Sequence, residues 1–372
     1  LTGAFEEAFD EIRDERDRLK RDYRGLNDDR DEVEQADMTP SERENAIEEI
    51  ERAMSILRGL LGELNDKNPF NVLIDASILP NYAFPEPGVR LQATVRTRMG
   101  GDEGQNEYVT EEFMRPAASA LTELAPFNTF YAFGKQFEIT ELDLGNRARP
   151  LTETWRFCRA CDYVEPTHED AEAPTGGCPE CGDAHWSDVG RTRTVLKFRR
   201  ARTFVDAFDA VALDDTEDRR SQGYVTRALV HAGRENWTTA HVLEEMPFGF
   251  EFLRQVELKE LNFGPDGHWN STIDVGGKSV PEGGYGVCDD CGRVRRKSGP
   301  DKGNLEHAPY CRYAKNDNLS ETTEEVYLAR SVTSEALRLL LPTGDAEETE
   351  TTASFKAALE LGLREKFQGN PR

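Results

Sequence analysis

The chain has 372 residues, 46 Lys plus Arg against 71 Asp plus Glu, a net charge of −25 and a sequence pI near 4.7. A chain this long can form more than one domain with a real core and needs no disulfide staples, while a balance this acidic excludes a wholly basic nucleic-acid clamp. The longest apolar stretch, residues 337–341, is interrupted by Arg338 and falls far short of the ~20 residues that a membrane span needs.

Leu1-Thr2-Gly3-Ala4-Phe5-Glu6 has no initiator Met and no basic segment followed by an apolar one, so it does not read as a secretion signal, and the start looks like a cut from a longer chain. The 7 cysteines, an odd number grouped mostly in C-x-x-C pairs, point to metal binding in a reducing cytoplasm rather than to a disulfide framework.

Residues 1–66 contain 21 acids and 10 bases, with Phe5, Phe9, Ile12, Leu19, Tyr23 and Leu26 spaced as a narrow helical stripe. Thr39-Pro40-Ser41-Glu42 is a helix-start signature, and Ile47, Ile50, Met54, Leu57, Leu61 and Leu64 follow in three-four steps. An antiparallel helical hairpin turning near residues 37–39 is expected, either a solvated acidic arm on a neighbouring domain or a partner-binding coiled coil. From Asn68 the texture becomes Pro-punctuated, and residues 89–97, 129–133, 137–144, 193–204, 224–230 and 250–258 read as strands. Residues 113–124, 238–243, 334–341 and 353–367 read as helices, and 343–352 as an acidic linker.

The fold class expected is therefore α+β: an N-terminal helical hairpin, a β-rich body with an inserted zinc ribbon, and a C-terminal α+β zinc-binding domain. The boundaries expected are 1–66 for the acidic arm, 67–150 and 193–282 for the body, 151–192 for the ribbon and 283–372 for the last domain.

Cys158-x2-Cys161 and Cys178-x2-Cys181, sixteen residues apart, have zinc-ribbon spacing, since each pair makes a tight knuckle that aims two thiolates at one point. Cys288-x2-Cys291 and His307-x3-Cys311 take the three remaining cysteines in a spacing compatible with a second Zn2+. Both sets read as structural, because four protein ligands leave no open position for substrate or activated water. His168, His185, His231 and His241 read as surface or packing residues. Gly276-Gly277-Lys278-Ser279 resembles the end of a phosphate loop, but Thr272 stands where its first glycine should be. No catalytic residue is assigned, and no small-molecule substrate is expected.

Two basic islands interrupt the acid: Arg191, Arg193, Lys197, Arg199, Arg200 and Arg202, and, inside the second metal loop, Arg293, Arg295, Arg296 and Lys297. Each is a place for a phosphate backbone to touch down, or a set of partners for surplus carboxylates. Trp155, Trp186 and Tyr285 are candidates for stacking on unpaired bases or for core packing.

The segment Asn68-Pro69-Phe70-Asn71-Val72-Leu73-Ile74-Asp75-Ala76-Ser77-Ile78-Leu79-Pro80-Asn81-Tyr82-Ala83-Phe84-Pro85-Glu86 resembles the post-motor region of superfamily 2 DEAD/DEAH-box DNA helicases. Ser187-Asp188-Val189-Gly190, and Glu325-Val326-Tyr327-Leu328-Ala329-Arg330 with Leu337-Arg338-Leu339-Leu340-Leu341-Pro342, agree with it. With Cys288, Cys291 and Cys311 the latter looks like the MZB zinc-binding domain of mitomycin-repair-type helicases and of the zinc-domain subunit of DISARM phage-defence systems. His307 takes the place of a cysteine in that pattern.

The resemblance implies an accessory region of an ATP-dependent DNA helicase in repair or defence. DNA is its partner, and ATP is used only by motor domains outside this chain, on the same polypeptide or a separate one. A standalone zinc subunit and a protein-binding zinc scaffold are the alternatives. The 11 lysines among so many arginines are similar to the usage of a halophilic archaeon.

Overall fold

The structure, a computed structural model, describes residues 2–36, 38–66, 69, 72–73, 88–98, 106–146, 149–167, 174–207, 210–211, 223–231, 237–241, 249–267, 271–295, 307–308, 311–315, 323–340 and 350–367. It is mixed α+β and rich in strands. In chain order the elements are α1 (Thr2–Gln35), α2 (Pro40–Asp66), β1 (Val89–Arg98), β2 (Asn106–Arg115), α3 (Ala117–Glu123), β3 (Thr129–Ala132), β4 (Lys135–Glu138), β5 (Glu141–Leu142), β6 (Gly145–Asn146), β7 (Arg149–Pro150), β8 (Thr152–Phe157) and β9 (Val164–Thr167). Then come β10 (Thr192–Lys197), β11 (Arg200–Asp206), β12 (Tyr224–His231), β13 (Trp237–His241), β14 (Gly249–Pro265), β15 (Thr272–Val275), β16 (Lys278–Pro281), β17 (Tyr285–Cys288), α4 (Arg312–Lys315), β18 (Thr323–Leu340) and α5 (Glu350–Phe367).

The chain divides into one unit of Leu1–His231 with Leu258–Val332 and another of Ala232–Glu257 with Thr333–Arg372. In the second unit β13 pairs antiparallel with the start of β14, Trp237 opposite Leu253 and His241 opposite Gly249. Arg338 there pairs with Glu251.

In the first unit a four-stranded sheet has the order β2-β1-β11-β5, with β1 parallel to β11. A larger sheet has the order β12-β14-β18-β10-β8-β9, and β17 adds to β18. β10 lies parallel to β18, Val195 opposite Tyr327 and Leu196 opposite Leu328. Where they pair, Val195-Leu196 and Val326-Tyr327-Leu328-Ala329 are short apolar runs buried on both faces. Leu196, Val326 and Leu328 point to a core shared with Leu91, Ala93, Val95, Ala120, Phe137 and Leu142 of the smaller sheet and its surroundings. Val195, Tyr327 and Ala329 point the opposite way, to Trp155, Phe157, Leu261 and Phe263. There the rings of Phe263 and Tyr327 meet edge to face at 4.7 Å.

The single strand expected over 193–204 is two. Phe198 N–H donates to Ala329 O of the larger sheet at 2.9 Å, while Arg199 O accepts from Arg90 N–H of the smaller one at 3.0 Å. The chain therefore changes sheets between those two residues. Three expected helices also differ. Residues 113–115 finish β2, so the helix starts only after Pro116. Residues 237–241 form β13, and 334–340 continue β18. The helix-favouring run Ser334-Glu335-Ala336-Leu337 stays extended because the 18-residue β18 lies beside the 17-residue β14; a long neighbour's ladder hydrogen bonds outweigh local propensity. α5 matches its expected position.

Helices α1 and α2 make an apolar cluster of their own, in which Leu19 and Leu26 meet Ala53, Met54, Leu57, Leu60 and Leu64. Arg58 Nη2 donates to Tyr23 Oη at 2.8 Å. Residues 74–87, which carry most of the helicase-like segment, lie outside the described residues.

Asp143, next to β5, sits among Arg200 and Arg202 at 3.3 and 3.7 Å. Burial works to raise its carboxyl, but Arg202, Arg200 and Arg18 outweigh that and hold it well below the usual carboxylate range. A depressed carboxylate contributes stability above its unfolded value near ~4 and loses it as pH falls through the folded one. Asp143→Asn is expected to lower Tm at neutral pH, and the gap from wild type should close on acidification, as followed by thermal melts across pH.

Candidate metal centres

Two groups of side chains converge with donor atoms that all lie within 4.8 Å of one another: Cys158, Cys161, Cys178 and Cys181; and Cys288, Cys291, His307 and Cys311. All seven cysteines are free thiols.

The first group closes the end of the larger sheet. β8 ends at Phe157, and Cys158 N–H donates to Tyr163 O at 3.0 Å, so that the chain returns at once as β9. The second knuckle closes through Gly182 N–H to Cys178 O, 2.8 Å, and Cys178 N–H to Asp183 O, 2.9 Å. Short 3-10 turns at Ala184–Ser187 and Val189–Arg191 then lead into β10. Trp186 is buried under the thiols, 5.3 Å from the Tyr163 ring. Arg156 Nη1 donates to the carbonyls of Trp186 and Asp188, both at 2.8 Å.

The Gly276-Gly277 pair, with its partial likeness to a phosphate loop, is the turn of the β15–β16 hairpin, with φ of 55° and 72°. Its N–H groups donate to Cys158 O and Arg159 O at 3.0 and 2.7 Å, so it is a clasp on the first knuckle. A side chain at 276 would collide with Asp162.

The second group lies between the two sheets. Cys288 is the last residue of β17 in the larger sheet. After the knuckle, Leu142 N–H donates to Gly292 O at 2.9 Å and Val294 N–H to Thr140 O at 3.0 Å, on the edge of the smaller sheet. Gly292 has φ of 75°, and a Cβ there would strike Leu142 O. Arg312, directly after Cys311, clamps the acids inside the knuckle, its Nη2 donating to Asp289 at 2.8 Å and its N–H to Asp290 at 2.9 Å. That clamp has no recognised sequence signal beyond the two acids between Cys288 and Cys291.

The spacing suits a four-coordinate ion. Sγ atoms of Cys158 and Cys181 are 3.6 Å apart, those of Cys161 and Cys178 3.7 Å, and those of Cys288 and Cys311 3.8 Å. A tetrahedron with metal–sulfur bonds of ~2.3 Å has edges of ~3.8 Å. His307 presents Nδ1 to the Sγ atoms of Cys311 and Cys291 at 3.4 and 3.8 Å. Burial pushes the Cys158 thiol up to about 11, and the hydrogen bond with Cys288 pushes Cys291 up to about 12. Thiols so close resist joint ionisation, and a cation at the centre of each group removes that resistance. Cys181 is exposed, whereas Cys288, Cys291 and Cys311 are all buried.

The basic residues fare differently. Arg193 pairs with Glu282 at 2.8 Å, Lys197 with Glu153 at 2.5 Å, Arg200 with Glu15 at 2.8 Å and Arg202 with Glu141 at 3.4 Å. Arg191 donates to Phe157 O at 3.1 Å and to Asp274 O, and Arg199 stands at the change of sheets. Arg293 lies 3.6 Å from Glu141, and Arg295 N–H donates to Gly286 O at 2.8 Å. Arg296, Lys297 and His168 lie outside the described residues. His185 is exposed beside Asp188 at 3.2 Å. His231 and His241 are in β12 and β13. Trp155, Trp186 and Tyr285 are at most 1% exposed, which corrects the stacking reading: all three are core residues.

No helix among the described residues is long and apolar enough to cross a membrane. No family model, curated protein or solved structure matches the chain.

Elemental analysis should give about two metal ions per chain, four ligands to each. Acid should release them, since protons compete for the thiolates. Cys288→Ser should lose one ion together with a large part of the folding stability, since binding free energy at a structural metal site is folding free energy. Cys181→Ser should also lose one ion yet leave the main thermal transition by circular dichroism nearly in place. Equal melting of the two variants would contradict this ordering.

Proposed function

We propose that the chain is a zinc-stabilised, nucleic-acid-engaging accessory region of an ATP-dependent DNA helicase serving repair or defence. The observation that carries this reading is the closed donor set at both centres: four protein ligands each, thiolate in seven of eight places. Soft thiolate donors at tetrahedral spacing favour Zn2+. A filled shell leaves the metals to hold loops, so chemistry belongs to motor domains elsewhere. The zinc-held parts are the first knuckle pair, read as an inserted ribbon, and the loop of the second centre, read as MZB-like. From that second loop, at Arg293 and Arg295, the basic segment with Arg296 and Lys297 departs.

In this reading ATP-driven translocation is supplied by the motor, and the basic loop holds the phosphate backbone while the strands part. The inward pairing of Arg193, Lys197, Arg200 and Arg202 with Glu282, Glu153, Glu15 and Glu141 favours a second reading, a scaffold whose zinc modules bind protein.

Fluorescence polarisation with labelled single-stranded and duplex DNA separates the two. Replacing Arg293, Arg295, Arg296 and Lys297 by Glu should weaken binding and reduce the salt slope by roughly 0.7 to 0.9 for each phosphate the loop no longer neutralises. An unchanged slope would remove the loop from the interface, and no binding by wild type even at low salt would leave the scaffold.

A further inference from the structure

The parallel register of β1 and β11 sets Arg90 beside Arg200 and Gln92 beside Arg202, and β2 adds Glu112 opposite Gln92. By strand alternation these side chains share the face of the smaller sheet opposite to Leu91, Ala93 and Ala201, which lie in the core. The face is mostly polar, with Met114 opposite Arg90 and Phe204 opposite Thr94 as apolar members. Gln92 Nε2 donates to Glu112 at 3.0 Å, Thr94 and Thr110 hydroxyls are 3.2 Å apart, and Arg90 lies 3.5 Å from Glu112.

Helix α1 reaches this face through charge. Glu15 Oε1 is 2.8 Å from Arg200 Nη1 and 3.8 Å from Arg202 Nη2, and Arg18 Nη1 donates to Gly145 O at 2.9 Å. Among the described residues the apolar cluster of α1 and α2 contains no residue of the sheet, and the sheet's core contains no residue of the helices. The arm thus keeps its own core and meets the body through these ion pairs and hydrogen bonds of α1 and through packing of α2 on β2, where Gly59 lies beside Thr110.

We propose that this arginine-bearing sheet face is a second surface for the phosphodiester backbone of nucleic acid, and that α1 covers it with the Glu15 carboxylate where a phosphate would bind. The proposal rests on the nucleic-acid reading given above. Guanidinium forks donate to carboxylate and phosphate oxygens in the same planar geometry. Two carboxylates bridge Arg200 and Arg202: Asp143 of the body, at 3.3 and 3.7 Å, and Glu15 of the arm, at 2.8 and 3.8 Å, while Glu141 reaches Arg202 alone and Glu112 lies beside Arg90. Lifting α1 removes one of the two bridging carboxylates and uncovers the pair, and a phosphate can take the place that Glu15 leaves beside Asp143 and Glu141. The surface is also continuous with the basic metal loop, since Glu141 contacts both Arg202 and Arg293.

The test uses the full zinc-loaded chain and a fluorescein-labelled oligonucleotide of about 20 nucleotides at low salt, with zinc content and circular dichroism checked for each variant. Glu15→Gln should tighten binding by about three- to tenfold. Arg18→Ala, which removes the arm's hydrogen bond to Gly145 O together with one of the cations beside Asp143, should reproduce the gain, and adding Arg202→Gln to either variant should abolish it. If wild type binds and both single variants bind equally or more weakly, the cover is overturned while the nucleic-acid reading stands. If neither wild type nor variants bind, that reading falls and the cover falls with it.

Discussion

The two sheets of the first unit are held at their shared edge by the loop that carries Cys288 and Cys291. Its ascending limb, β17, is a strand of the larger sheet, and its descending limb, through Gly292 and Val294, bonds to residues 140–142 of the smaller one. A loop this short has little apolar surface of its own. Val287 and Val294 enter the shared core, and the remaining buried atoms are those of Cys288, Cys291, Ala308, Cys311 and Tyr313. A bound metal converts that poor core into a rigid corner, and the sheets inherit its position. The glycine at 292 belongs to the same constraint, because only a residue without Cβ lets Leu142 O approach that closely.

From that corner the rest of the layering follows. β10 and β18 run parallel at the centre of the larger sheet with both faces covered, and the chain leaves β10 for the smaller sheet within two residues. The first centre has a lesser part. It ties the ends of β8, β9 and β10 together, and the hairpin turn at Gly276 and Gly277 seals it from one side. Loss of that tie frees a tip of the sheet, whereas loss of the other frees its attachment to a second sheet.

Charge organises the opposite side of the smaller sheet. In a chain at −25, arginines packed against a β-face would be expected to find acids, and they do so in a network of Glu15, Asp143, Arg200 and Arg202. Such pairs are expensive to bury, so they specify where the arm rests better than they hold it there.

Much of this molecule is decided locally, and that part is legible in the residues. The two ligand sets follow from cysteine spacing, since a C-x-x-C knuckle is a local device and pairs of knuckles have few alternatives. The mixed class follows likewise, as do the helical texture of residues 1–66 and the strands expected over 89–97, 224–230 and 250–258, the last of which the structure continues to Pro265, because apolar periodicity reports which face each segment buries.

What only the tertiary structure decided is pairing. Residues 334–340 have the composition of a helix and form strand beside β14; residues 193–204 look like one strand and divide between two sheets. The sequence leaves the basic islands open between phosphate contact and pairing with surplus carboxylates, and the fold brings Glu282, Glu153, Glu15 and Glu141 to them from up to 185 residues away. Each case has one physical reason: backbone ladders and ion pairs are satisfied by partners distant in the chain, and local composition contains no record of which partner arrives.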